Sequence, residues 1–293
     1  LLLVVISGLG IASYHPEGFK TASFFTGSRM ATGMAVFTIG GNLGLAIGPI
    51  APTFIITNFG LENLPLMLGF PAVFLLSLAL VRKTIDRSAQ APASKKASQQ
   101  IPEKGTYVSV GLTIAAVIMR SWTHFGLMAY IPFYYIDYLR GDPLYAGTLV
   151  STFLFGGAAG TLIGAPVADR IGYKRFLILS LALTSLLFPL IFVTHGAMLF
   201  VSLGIVGMTL ISSFTVTIVM AQKMLPNNLG VASGLMAGFA IGTGGIGVTL
   251  LGIVADAYGV PTALKSIMLF PVLGLLISFF IRFPPLQGNA KQS

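Results

Sequence analysis

Two glycine-punctuated apolar segments lie 201 positions apart in this chain, and their likeness narrows the folds open to it. Ala31-Thr32-Gly33-Met34 recurs as Ala232-Ser233-Gly234-Leu235, and in the same register Gly41 and Gly44 recur as Gly242 and Gly245. Each copy sits in more than twenty almost uncharged residues, and about 20 suffice for a helix to cross a bilayer. Soluble domains carry about 25% charged residues; this chain has 9%, with 55% apolar residues and a mean hydropathy of +0.90. It is built for lipid. The formal net charge is +9, but the bases lie between apolar runs rather than clustered in ordinary soluble sequence. That pattern marks topology and argues against nucleic acid as a partner. The absence of cysteine excludes a disulfide framework and thiolate metal sites.

Apolar spans fall at roughly 1–13, 31–57, 64–81, 106–132, 144–168, 176–194, 197–221, 231–255 and 263–281. Strands of a membrane barrel would be shorter and would alternate in polarity, so these nine are predicted as helices. Lys and Arg sort into alternate loops. One set, with the tail, holds Lys20 and Arg29, the six bases from Arg82 to Lys104, Arg170, Lys174 and Arg175, Lys223, and Arg282 with Lys291. The opposite loops hold Arg140 and Lys265, and Arg120 lies inside a span. Positive loops stay in the cytoplasm, so a cytoplasmic C-terminus and an external residue 1 are expected.

Residues 82–105 exchange aliphatics for Arg, Lys, Ser, Gln, Ala and Pro, which reads as a cytoplasmic linker. The expected organisation is therefore 1–81 as the last three helices of one half, 106–282 as a complete six-helix half, and 283–293 as a cytoplasmic tail. The 201-residue offset doubles as a ruler. Residue 1 corresponds to position 202, which leaves 96 positions of the second half, from 106 onward, without a counterpart. That is room for three spans. Leu1-Leu2-Leu3 begins apolar with no initiator Met, so a 6 + 6 plan lacking its first three helices is expected.

Several constellations carry chemistry. Gly164, Asp169, Arg170, Gly172, Lys174 and Arg175 form a G-x4-D-R-x-G-x-K-R pattern, predicted as a tight loop between spans. An acid beside clustered bases can latch two helix ends by charge-assisted hydrogen bonds, as a gate requires; retention of a basic loop is the plainer reading. Gly40, Gly44 and Gly48 at four-residue spacing, with Pro49 following, predict a smooth stripe for close helix packing and a bend. Arg120 and His124, at i and i+4, share a helical face deep in a span. An intramembrane charge is expensive and marks function. Arg120 either binds an anionic substrate through its guanidinium fork or pairs with another helix, and His124 can titrate near neutral pH. Asn42 either lines a cavity or is satisfied by a neighbouring helix. His15-Pro16-Glu17 lacks a third partner for a metal and is read as a loop running into a helix start. Gly242-Thr243-Gly244-Gly245-Ile246-Gly247 matches a dinucleotide fingerprint, but inside an apolar span without a preceding strand it is packing. No metal site, cofactor or catalytic cluster is expected, and an enzyme is not.

The loop pattern resembles that of the major facilitator superfamily, where it controls opening of the cytoplasmic side. The stripe ending in Gly44-x3-Gly48-Pro49 resembles the antiporter motif of its drug exporters, with Ala35 in place of the leading Gly and Pro52-Thr53 in place of the closing pair. Tyr14-His15-Pro16-Glu17, then Phe37-Thr38-Ile39-Gly40-Gly41-Asn42-Leu43-Gly44 into Ile47-Gly48-Pro49, resemble the fosmidomycin resistance branch of that superfamily, as do Arg120-Ser121-Trp122 and Ile131-Pro132. The resemblance implies an all-α membrane protein of the major facilitator fold, multi-pass in a bacterial inner membrane. It implies proton-coupled efflux of a small drug such as fosmidomycin by alternating access. Its partners would be that small molecule, protons and the bilayer, with the monomer as the unit. An organic-anion uptake symporter of the same fold, or a truncated membrane protein that does not transport, are the alternatives.

Overall fold

The computed structural model describes residues 2–47, 50–89 and 105–283, and every regular element among them is helical. Before the linker come α1 (Leu2–Ser23), α2 (Met30–Ile47), α3 (Ile50–Phe59), a 3-10 turn (Leu61–Leu68) and α4 (Gly69–Ala89). After it come α5 (Thr106–Phe133), α6 (Pro143–Ile171), α7 (Tyr173–Leu187), α8 (Leu190–Val193), α9 (Ala197–Ile211) and α10 (Phe214–Met224). The chain closes with α11 (Leu229–Ser233), a π-helical stretch (Gly234–Ala240), α12 (Gly244–Tyr258), α13 (Val260–Ser266) and α14 (Leu269–Phe280). Seven stretches among the described residues are long and apolar enough to cross a membrane, from Leu61–Asp86 to Val260–Phe280. The predicted span over 31–57 is carried by α2 and α3, and Gly48 and Pro49 between them lie outside the described residues.

Lipid dictates how these helices treat their polar groups. With no water to take a free hydroxyl, Thr38, Thr113, Thr161, Thr184 and Ser278 each donate to the carbonyl four residues earlier. Apolar side chains are spent outward as well as inward. No residue in the most apolar stretch of Leu61–Asp86 is buried, and Leu75, Leu76 and Leu80 are exposed along α4.

Two of the expected boundaries move. The linker was expected from residue 82, but α4 runs on to Ala89, since Arg82 and Asp86 pair at 3.8 Å one turn apart in helix-favouring sequence. His15, Pro16 and Glu17 were expected in a loop, yet all three lie within α1. The apolar run stops before the helix does. Lys20 Nζ reaches Glu17 at 3.0 Å, and Phe19 is buried against Phe37 and Phe214, so packing carries the helix past the change in polarity.

The buried residues form two clusters. One gathers Leu127, Ile131, Phe153, Phe188, Leu203 and Leu264, all from after the linker. The other joins Phe19, Ala31 and Met34 to Tyr173, Phe176 and Met220. The segments before and after the linker thus meet in a shared core at the end of the bundle that carries Lys20, Arg170, Lys174 and Lys223, hereafter the basic end. The closest approach in the bundle is α6 on α9. A side chain at Gly156 would strike the backbone of Gly204, one at Gly160 the backbone of Met208, and one at Gly207 the carbonyl of Phe153. This is the small-residue packing that replaces the hydrophobic effect between helices in lipid.

Candidate functional site

Arg120 lies fourteen residues into α5, about 21 Å along a helix rising 1.5 Å per residue, and so near mid-depth. It is 4% exposed. Opposite it the span Ala197–Met224 is interrupted: α9 stops at Ile211 and α10 begins at Phe214. Hydroxyls cover the carbonyls freed by that break, with Ser212 donating to Thr209 O at 2.8 Å, Ser213 to Leu210 O at 3.3 Å and Thr161 to Ile211 O at 3.4 Å. The interruption sets the Phe214 ring beneath the guanidinium, 5.3 Å from Cζ to the ring centroid. A cation over an aromatic face gains about 2 kcal/mol when desolvated.

That contact leaves most of the guanidinium unanswered. Arg120 Nε and Nη2 are shut off from solvent and have no hydrogen-bond partner among the described residues. These two nitrogens form one edge of the guanidinium, whose N–H groups lie parallel and match two oxygens of a carboxylate or phosphonate. Ser121 Oγ, His124 Nδ1 and Thr215 Oγ1 are likewise buried without partners. His124 packs against Phe125 and Phe153, at 5.0 and 5.4 Å between ring centroids. Arg120 and His124 thus lie one turn apart on α5, with Arg120 and His124 Nδ1 both buried and His124 among aromatic rings. Asn42 is half-buried on α2. A cavity of about 730 Å³ lined by Ser109, Lys174 and Arg282 lies elsewhere, since Ser109 is eleven residues before Arg120, about 16 Å along α5.

At the basic end, the expected loop is a single residue. α6 ends at Ile171, α7 begins at Tyr173, and Gly172 turns between them at φ 100, where glycine alone is unstrained. The latch also differs from expectation. Asp169 does not pair with Arg170, Lys174 or Arg175. Its carboxylate accepts from Ala31 N at 3.1 Å, Thr32 N at 2.9 Å and the Thr32 hydroxyl at 2.6 Å, and from the Tyr173 hydroxyl at 3.0 Å. The first amides of α2 have no partner within their own helix, and the helix dipole there is positive, so a carboxylate fits them better than a hydrated lysine would. Arg170 and Arg175 are exposed. Lys174 donates to Phe279 O at 3.0 Å, while Lys223 lies 5.1 Å over the Tyr173 ring. Gly164 makes room for the Phe176 ring.

A second clasp was not foreseen. Gln222, 1% exposed, donates through Nε2 to Phe19 O at 3.2 Å and to Ser233 Oγ at 2.9 Å, tying α1 to the end of α10 and to α11. Its sequence signal is a lone amide at the end of an apolar span, too common to single out. Pro16 Cβ is 3.8 Å from where a Cβ on Gly234 would sit, close to the spacing of a disulfide. Cysteines at those two positions therefore report closure of the seam. Asp169→Ala is expected to weaken the closed seam by about 2–3 kcal/mol, from lost charged hydrogen bonds and dipole complementarity. The check is the yield of the Pro16→Cys/Gly234→Cys disulfide, which should fall sharply.

The glycine stripe on α2 does not pack as expected. An added Cβ at Gly40, Gly41 or Gly44 would meet nothing within 4 Å, and Gly48 with Pro49 lies outside the described residues. Small residues make a seam only where a second backbone comes close, and among the described residues none does. Gly242 and Gly245 are open in the same way, so the two copies of the repeat share an environment. Gly244 and Gly247 instead admit the rings of Phe125 and Trp122.

Lipid-facing helices, joined across two segments at one end around a mid-depth arginine whose Nε and Nη2 have no hydrogen-bond partner among the described residues, make this a helical membrane protein. The family model of the Major Facilitator Superfamily matches residues 113–293. An uncharacterized MFS-type transporter, YfnC, of Bacillus subtilis (strain 168) is 32% identical over 286 residues, 94% of this chain and 69% of its own length. The fosmidomycin resistance protein of Escherichia coli (strain K12) is 30% identical over 285 residues, 95% of this chain and 70% of its own. The chain belongs to the Major Facilitator Superfamily.

Proposed function

We propose that this chain acts in proton-coupled efflux of a small phosphonate drug such as fosmidomycin, by alternating access between two six-helix halves with the basic end in the cytoplasm. The observation that carries this reading is the buried, unpartnered Nε–Nη2 edge of Arg120 at mid-depth. A dry cation costs several kcal/mol unless paired, and a phosphonate supplies two oxygens in the geometry that edge requires. His124, one turn further along α5, is the titratable neighbour through which proton movement would couple. Asp169 and Gln222 hold the cytoplasmic gate, and the open faces of Gly40 and Gly44 are free for a further helix to approach. The likeness to a relative named for fosmidomycin resistance supports the choice of drug.

Expression of the full-length protein is expected to raise fosmidomycin tolerance of a susceptible bacterium. Adding the drug to energised inverted vesicles should release stored protons in a dose-dependent way. A panel of phosphonates that produces no drug-dependent proton flux would sink the antiport claim.

A further inference from the structure

The stack on Arg120 does not end at Phe214. Phe214 is itself in contact with Phe19 of α1, 6.1 Å between ring centroids and 62° between planes. Phe19 in turn is held from the other side by Phe37 at 5.3 Å, and its own carbonyl is gripped by Gln222 at 3.2 Å. Phe19 is 3% exposed. A continuous column therefore runs from the seam at the basic end, through two aromatic rings, to the guanidinium at mid-depth. Its lower member belongs to the segment before the linker, and its upper two to the segment after it.

The same closed arrangement leaves the oxyanion-binding edge of Arg120 dry and unpartnered. Nε and Nη2 are sealed by packing, so two anionic oxygens can reach them only if the surrounding side chains part. If those side chains part as the seam opens, an oxyanion binds the open seam better than the closed one, and by linkage closing the seam weakens the anion by the same factor. An exporter needs this sign: its site must hold substrate less tightly once the cytoplasmic side has shut.

We propose that Phe214 is the positioning residue that converts closure of the seam into release of a phosphonate or carboxylate from Arg120, because Phe19 presses its ring onto the guanidinium as α1 docks. This rests on the reading of Arg120 as the anion site. The ring partly replaces the departing anion as the partner of the cation, so Arg120 is never left with neither.

The test locks the seam in full-length protein with the Pro16→Cys/Gly234→Cys disulfide and measures fosmidomycin binding before and after reduction. The oxidised protein is expected to bind about tenfold more weakly or worse, a coupling within the usual range, and reduction should restore affinity. Phe214→Ala in the locked protein should close most of that gap, whereas Phe214→Tyr, which keeps the ring, should preserve it. Phe19→Ala provides the same relief from the other side of the stack and serves if Phe214→Ala fails to insert. Equal affinity in the oxidised and reduced proteins, or an undiminished gap in a folded Phe214→Ala or Phe19→Ala variant, overturns the proposal while leaving Arg120 as the anion site. Arg120→Gln separates the two claims: binding as tight as wild type in the reduced variant removes Arg120 from the site and takes the release device with it.

Discussion

Arg120→Gln is expected to abolish transport while the protein still inserts and folds. Gln keeps most of the stem that packs in the core and can still offer hydrogen bonds, so the apolar surroundings lose little. What disappears is the charge and the two-pronged edge. Two charge-assisted hydrogen bonds at about 1.5 kcal/mol or more each correspond to roughly a hundredfold loss in substrate affinity. Removing a buried cation with no hydrogen-bond partner for Nε and Nη2 among the described residues also removes a desolvation cost, which outweighs the lost stacking on Phe214, so the variant should be at least as thermostable as the parent. Loss of drug-driven proton release together with an unchanged or higher melting temperature is the expected pair of results. Wild-type transport by Arg120→Gln would return the arginine to a packing role.

The largest stability effect is expected at Gly160. Its Cβ would land on the backbone of Met208, which cannot rotate aside as a side chain can. α6 and α9 would have to separate along the row formed by Gly156, Gly160, Gly204 and Gly207. Overpacking of a tight core costs about 1–3 kcal/mol, occasionally more, and Gly160→Leu should exceed what Gly160→Ala costs. Gly147 lies on the same helix with nothing within 4 Å of an added Cβ. Gly147→Ala should be neutral or stabilising, because alanine loses less backbone freedom in a helix by about 0.5–1 kcal/mol. Melting temperatures in one detergent test the contrast, and equal values for Gly147→Ala and Gly160→Ala would contradict the packing argument.

Much of this organisation was legible in the sequence because lipid imposes a simple code. Length and hydropathy alone place the helices, and a charge inside a span, such as Arg120, stands out against a background that is 9% charged. The repeat carries real information: Ala31 and Ala232 are both fully buried, and Gly41, Gly44, Gly242 and Gly245 are all open. What stayed hidden depends on partners remote in sequence. The pattern around Asp169 suggested a latch but gave its partners as neighbouring bases, whereas the carboxylate reaches helix amides 137 and 138 positions away. The amides of α2 are invisible in a sequence, which spells only side chains. Phe214 is one of 22 phenylalanines, and the Ser212-Ser213 pair before it is the one local sign that the span breaks there. The close approach of the glycines on α6 and α9 is hidden for a related reason: spacing cannot say which face meets another backbone.

The one-residue joint at Gly172 has a mechanical consequence. A longer connection would take up small displacements as slack; a single glycine has almost none to give. On the gate proposed above, release of α2 by Asp169 would carry the end of α6 and the start of α7 together. Lys174, at the start of α7, also holds the Phe279 carbonyl of α14 at 3.0 Å, which would extend the linkage to that helix. On that proposal, α6, α7 and α14 would move as a linked set.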